Sequence, residues 1–178
     1  SEDYSQLPDG SWLTVPGNCV AILSPVRGQG LILCDEEGTK TVPVDVVFPV
    51  LHGENGEDGT VQGLLRLAGI PFVGPDVAAS AVAMDKTLTK LVMDKAGIPQ
   101  ARWHLVRSRE LETQMESILA DVEAAFDYPV FVKPASTGSS VGVSKASDRE
   151  TLANALTNAG RYGEKILVEE FIPGAEIE

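Results

Sequence analysis

The chain has 178 residues, 43% of them hydrophobic, and carries 26 acidic against 14 basic residues for a formal net charge of −12. That hydrophobic share excludes disorder and fills one large core or two small ones. The acidic excess excludes nucleic acid as a partner, because a phosphate backbone requires clustered Lys and Arg, and runs such as VVFPVL (46–51) are far too short to span a membrane.

In chain order, the first forty residues read as strands and turns. WLTV (12–15), CVAIL (19–23) and GLILC (30–34) are short apolar runs punctuated by Pro16-Gly17, Pro25 and Gly28. Cys19 and Cys34 flank a hairpin turn at RGQG (27–30) and can face each other, as buried thiols in preference to a disulfide. TVPVDVVFPVL (41–51) has the near-continuous β-branched hydrophobicity of a strand buried on both faces. After the glycine-rich loop HGENGEDG (52–59), Val61, Leu64, Leu65 and Ala68 fall at helical spacing and Gly69 supplies the stop. IPFVG (70–74) is a short strand. Strand, loop, helix and strand form a βαβ unit and predict a parallel sheet.

Gly74-Pro75 marks a boundary. Asp76 predicts a capped helix over Val77–Met84, and Asp85 caps a second one ending at Ala96, closed by Gly97 and Pro99. ARWHLV (101–106) is a strand. Residues 109–126 form an amphipathic helix with Leu111, Met115, Ile118, Leu119 and Val122 on one face. The strand YPVFV (128–132) runs into the loop KPASTGSSVG (133–142), which leads to the alternating strand VGVSKA (141–146). A capping box between Ser147 and Glu150 starts a helix over Leu152, Ala155 and Leu156 that stops at Gly160, and KILVEEFI (165–172) is a further strand. The fold class is therefore α/β (α+β). Ser1 in place of Met, and a closing GAEIE that reads as a continuing strand, predict an internal piece of a longer protein.

The loop at 133–142 joins strand to strand, whereas a Walker A cradle needs G-x-x-x-x-G-K-[ST] and a following helix; a P-loop NTPase is excluded. Backbone N–H groups around Gly138, Ser139 and Ser140 can still converge on an anion, with Lys133 supplying charge from the end of the preceding strand. A polar hairpin turn without a ligand fits the same residues. Lys86 lies in the first turn of a helix, where a cation opposes the macrodipole, and reads equally as a solvated lysine. In VEEFIPGAE, the carboxylates of Glu169, Glu170 and Glu176 can accept from an adenine amino group or a ribose hydroxyl, and Phe171 and Ile172 can wall an apolar base pocket. The plain alternative is an acidic strand end. His52, Glu54, Glu57 and Asp58 are potential metal ligands, but their spacing fits neither an EF-hand nor H-E-x-x-H. A loop at the carboxyl end of a parallel strand, presenting amides to a carboxylate or phosphate, is the stronger reading.

Four stretches in this order, FPVLHGENGEDGTVQGLLRLAGIPFVG, AMDKTLTK, YPVFVKPASTGSSVGVSKA and ILVEEFIPGAEIE, resemble the D-alanine–D-alanine ligase family of the ATP-grasp superfamily. HG-x-x-GEDG and KP-x-x-x-GSSVG carry the likeness, which covers most of residues 41–178 and is loose over 1–40. It implies a partial ATP-grasp fold. Residues 1–74 would be the C-terminal part of an N-terminal, Rossmann-like domain, 75–172 the central lid domain, and 173–178 the start of a C-terminal domain. It further implies an ATP-dependent, ADP-forming ligase of peptidoglycan precursor synthesis, a cytoplasmic homodimer using ATP, Mg²⁺ and D-alanine, with no nucleic-acid or membrane partner. D-lactate or D-serine as second substrate, another carboxylate–amine ligase, and a non-catalytic nucleotide-binding module stay open as alternatives.

Carried over onto this sequence, the resemblance has Lys86 and Lys133 contact the ATP phosphates, while Gly138 and Ser140 hold the terminal phosphate. Ser139 is the catalytic loop hydroxyl that ties the hairpin lid over the substrates. Glu169, the backbone of Glu170 and Ile172, and the face of Phe171 hold adenine, and Glu176 takes the ribose. His52 lies near the first D-alanine and Glu57 fixes its loop. Lys90 is expected to be a bystander. Metal ligands and an oxyanion-stabilising arginine are expected beyond residue 178, so the chain by itself is expected to be inactive.

Overall fold

The computed structural model describes residues 20–138 and 140–175. Strands β1 (Val20–Leu23), β2 (Leu31–Asp35) and β3 (Gly38–Val42) form an antiparallel sheet in that order. The turn between β1 and β2 needs its glycines: Gly30 has φ +72°, and a Cβ there would meet the Val42 carbonyl oxygen at 2.3 Å. Val20 pairs with Cys34 across the hairpin. Cys19 and the expected strand at 12–15 lie outside the described residues.

The expected strand at 41–51 is corrected. β3 takes its first two residues, and the rest runs as an extended segment with one parallel bridge, Val47 to Phe72. There Val47 N donates to Pro71 O and Val73 N donates to Val47 O, both at 2.9 Å. Val46, Phe48, Val50 and Leu51 are all more than half exposed. Pro43 and Pro49 have no N–H to offer a ladder, which limits pairing to the residues between them. Helix α1 (Thr60–Ala68) provides the crossover, so the βαβ unit exists with its parallel pairing reduced to a single bridge. Leu65, Ala68 and Ile70 form a small core against Val44, Val47 and Phe72.

Two aspartates set the next two helices. The Asp76 carboxylate accepts from Ala79 N at the start of α2 (Val77–Met84), and Asp85 accepts from Thr87 N and Leu88 N at the start of α3 (Lys86–Ala96). Each supplies an acceptor to N–H groups that have no partner inside the helix. Gly97, with φ +69°, closes α3.

The second sheet is antiparallel throughout, in the order β4 (Trp103–Arg107), β7 (Lys165–Glu170), β5 (Val130–Pro134), β6 (Ser144–Ala146). Strand alternation gives it two unlike faces. Val106, Val130, Val132, Ala146, Ile166 and Val168 pack under α4 (Leu111–Ala125) and α5 (Arg149–Ala159), which contribute Ile118, Leu119, Val122, Leu152 and Leu156. The opposite face carries Phe131, Lys133 and Glu169 and looks toward α3. The capping box of α5 sits one residue later than expected: Asp148 accepts from Thr151 N at 2.8 Å, and the Thr151 hydroxyl bonds back to Asp148 N. An ionised acceptor next to the positive helix end outcompetes the Ser147 hydroxyl. β5 and β6 pair directly, with no helix rising from Gly138.

Candidate functional site

On the open face of the second sheet a single carboxylate, Glu169, is held between two ammoniums. Lys133 of β5 reaches Oε2, and Lys90 of α3 stands 2.7 Å from Oε1. Register explains the first contact: Phe131 faces Glu169 and Lys133 faces Leu167, so Lys133 is the diagonal neighbour of Glu169 on one face. Burial would raise the Glu169 carboxyl, but hydrogen bonds from Lys133 and Lys90 outweigh it and hold the group below the usual carboxylate range. Lys90, whose removal was expected to do little, is thus in contact with Glu169. One helical turn separates it from Lys86, so both ammoniums serve the same side of α3.

Lys86 ties α3 to the loop after β5. Its backbone N–H donates to Ala135 O at 2.9 Å and its ammonium donates to Thr137 O at 2.5 Å. Burial, and then the charge of Lys133, push its pKa down from the ordinary lysine value. Asp85 receives Lys165 at 2.5 Å, and that bond with those from Thr87 and Leu88 keeps the carboxyl low against its burial. Two ammoniums thus grip Glu169, Lys86 stands on the Thr137 carbonyl and Lys165 on Asp85, so four cations meet these two carboxylates in a chain of net charge −12.

From Lys133 the chain turns through 135–143 into β6. Ser140 adopts φ +58° and Gly142 φ +73°. Val141 N donates to Gly138 O at 3.1 Å and the Thr137 hydroxyl donates to Val141 O at 2.9 Å. A Cβ on Gly142 would lie 2.7 Å from both Pro134 and Tyr162, so the loop can return only through a glycine. Gly142 is a site residue that sequence reasoning missed, although its place in the GSSVG run was a signal. Ser139 lies outside the described residues.

At the far end of β7, the Glu170 carboxylate turns away from the cluster to Arg102, accepting from its backbone N at 2.7 Å and from Nε at 2.6 Å. Phe171 stacks obliquely on Phe131 at 6.1 Å, and the Lys145 ammonium sits 4.3 Å above the Phe171 ring. Lys145 was also missed; its strand position opposite Phe131 was the available signal. Ile172 is 61% exposed. Glu176 lies outside the described residues.

In the HGENGEDG loop the Glu57 carboxylate accepts from Gly53 N at 2.5 Å, and Asp58 accepts from Asn55 N and Thr60 N at 2.9 Å each. Both carboxylates thereby shape their own loop. Among the described residues no cluster of three or more His, Cys, Asp or Glu side chains is arranged to hold a metal ion. Glu54 and Asp58 meet Asp85, Ser136 and Thr137 around a cavity of about 400 Å³, which brings this loop opposite the root of the 135–143 turn. His52 instead lines a separate cavity with Leu51, Val61 and Leu64. Lys86, Lys133, Glu169 and the Gly138 turn are thus gathered in one place, while His52 lines a neighbouring cavity that shares Glu54 with the one at the turn.

Two family models match the chain. The model described as D-ala D-ala ligase N-terminus matches residues 23–75, and the one described as D-ala D-ala ligase C-terminus matches 92–178. A D-alanine–D-alanine ligase of Acetivibrio thermocellus is 56% identical over 142 residues, covering 80% of this chain and 38% of the relative. One of Caldicellulosiruptor bescii is 46% identical over 171 residues, covering 96% and 46%. Among solved structures, the VanG D-Ala:D-Ser ligase of Enterococcus faecalis superposes with TM-score 0.84 at 34% identity over 98% of this chain and 49% of that one. The D-alanine–D-alanine ligase of Helicobacter pylori gives 0.76 at 28% identity, over 97% and 49%. Fold and loop together define an ATP-grasp ligase framework. The chain belongs to the D-alanine–D-alanine ligase family, and it spans 38–48% of the length of the curated relatives it matches.

Proposed function

We propose that the chain is the nucleotide-binding half of an ATP-dependent ligase that joins two D-alanines. The observation that carries this reading is the set of ammoniums at the root of a glycine–serine turn, Lys90 and Lys133 on one buried carboxylate and Lys86 on the Thr137 carbonyl. Clustered positive charge beside a glycine–serine turn fits a polyphosphate. In this reading Lys86 and Lys133 contact the phosphates, Gly138 and Ser140 hold the terminal one, and Ser139 ties the loop over the substrates. Glu169, the Glu170 and Ile172 backbone and the Phe171 face hold adenine, Glu176 takes the ribose, and Glu57 keeps its loop in shape near the first D-alanine, with His52. Residues 1–74, 75–172 and 173–178 belong to successive domains. The protein works as a homodimer in the cytoplasm; among the described residues no helix is long and apolar enough to cross a membrane.

The chemistry runs in two displacements. A carboxylate oxygen of the first D-alanine attacks the γ-phosphorus, the bond to the β-bridging oxygen breaks, and an acyl phosphate and ADP result. The neutral amino nitrogen of the second D-alanine then attacks the acyl carbon, and the tetrahedral intermediate expels phosphate, which carries off the proton that the nitrogen sheds. An ionised carboxylate is a poor electrophile and its phosphate a good one, so the protein's task is to position the reactants and hold phosphate charge. Mg²⁺, when bound, would neutralise the nucleotide phosphates. Among the described residues no group of three or more His, Cys, Asp or Glu side chains is arranged to hold it.

The test is a product assay with ATP, D-alanine, D-serine and D-lactate, run on the 178-residue chain and on a ligase polypeptide of the relatives' full length that contains it. The full-length polypeptide is expected to form D-alanyl-D-alanine with ADP release, and the 178-residue chain none. A full-length polypeptide that binds ATP and forms no D-alanine product contradicts the proposal.

A further inference from the structure

Glu169 has two cations for one charge, and they are not equivalent. Lys90 is the more deeply set, with 13% of its side chain exposed against 24% for Lys133. Its ammonium is also anchored a second time, donating to Ala101 O at 3.2 Å. Among the described contacts the Lys133 ammonium has Glu169 alone. Lys133 is the last residue but one of β5, the strand that leads into the Gly138 turn, and its side chain is partly exposed.

A buried carboxylate stripped of its sole counter-ion is strongly unfavourable. Were Lys133 the only partner of Glu169, it could not leave for a phosphate without stranding that charge. A second, fixed ammonium removes the obstacle. We propose that Lys90 is a positioning residue for the nucleotide site: by holding Glu169 on its own, it releases Lys133 to move from that carboxylate onto a nucleotide phosphate. The proposal rests on the nucleotide site of the preceding section. It predicts two states of one cluster, with Lys133 on Glu169 in the empty protein and on phosphate in the loaded one, while the Lys90–Glu169 pair persists in both. The Lys86 pKa is pushed down first by burial and then by the charge of Lys133, and an anion between the two ammoniums would relieve that repulsion.

The experiment is a double-mutant cycle of ADP affinity in a full-length ligase polypeptide containing this chain, with Lys90→Met, Glu169→Gln and the two combined. Lys90→Met is expected to weaken ADP about tenfold or more and to raise the KM for ATP more than it lowers kcat, because Lys133 is then trapped. In the double variant residue 169 is uncharged and Lys133 is free, so adding Lys90→Met to Glu169→Gln should cost no further affinity. A Lys90→Met protein that binds ADP like wild type, or losses that simply add, overturns the proposal. Should wild type itself not bind ADP, the nucleotide reading fails, and the role of Lys90 is decided separately by carbon-13 carboxyl titration of Glu169 in the 178-residue chain. With Lys133→Met, Lys90 should keep Glu169 titrating below the ordinary carboxylate range; a Glu169 that titrates at or above that range overturns the proposal.

Discussion

A carboxylate gripped from both sides, as Glu169 is by Lys133 and Lys90, stays ionised in spite of its burial. Its folded pKa is depressed, so its contribution to stability is fully present above the unfolded carboxylate value of about 4.3 and is lost as pH falls through the lower folded value. Thermal unfolding followed from pH 7 down to acid should show that loss in the wild type and a flatter dependence in Glu169→Gln; parallel curves would deny Glu169 the part. For function, Lys133→Ala in a full-length ligase should raise the KM for ATP about tenfold or more. Lys40→Ala, on exposed β3, should leave it unchanged. Equal kinetics for the two would remove Lys133 from the phosphates. Lys133 was legible in the sequence because a glycine–serine run follows it. Lys90 was not, because its partner lies on β7, far along the chain, and only helical spacing from Lys86 hinted at it.

Elements whose limits are written in local chemistry were read closely from sequence. α2 and α3 begin after Asp76 and Asp85 and α3 ends before Gly97, as their capping residues require. The run at 41–51 misled because continuous hydrophobicity reports burial only where something covers it, and here a single bridge pairs the part beyond β3. The strand–loop–strand layout around Gly138 was legible, since alternation resumes at Val141–Ala146; the shift of the α5 cap to Asp148 was not, since two hydroxyl or carboxyl residues stand side by side. Two substitutions separate scaffold from site. Leu156 is fully buried between α5 and the sheet, so Leu156→Ala should cost about 2–5 kcal/mol in denaturant unfolding. Gly142→Ala forces a side chain against Pro134 and Tyr162 at positive φ, and should lower ADP affinity with a smaller loss of stability. Unfolding of Gly142→Ala as severe as that of Leu156→Ala would make the turn part of the core scaffold.

At the scale of the molecule, a strongly acidic chain brings Lys86, Lys90, Lys133 and Lys165 together on one face of one sheet, beside the chain segment that joins β5 to β6. The account therefore stands on where an anionic nucleotide settles. The most direct measurement is amide and lysine-ammonium NMR of the 178-residue chain titrated with ADP to millimolar concentration. The account predicts shifts at residues 136–138 and 140–142 and at the Lys86 and Lys133 ammoniums, with β1–β3 silent. Shifts confined to β1–β3 or to the His52 cavity, or none at all, would contradict it.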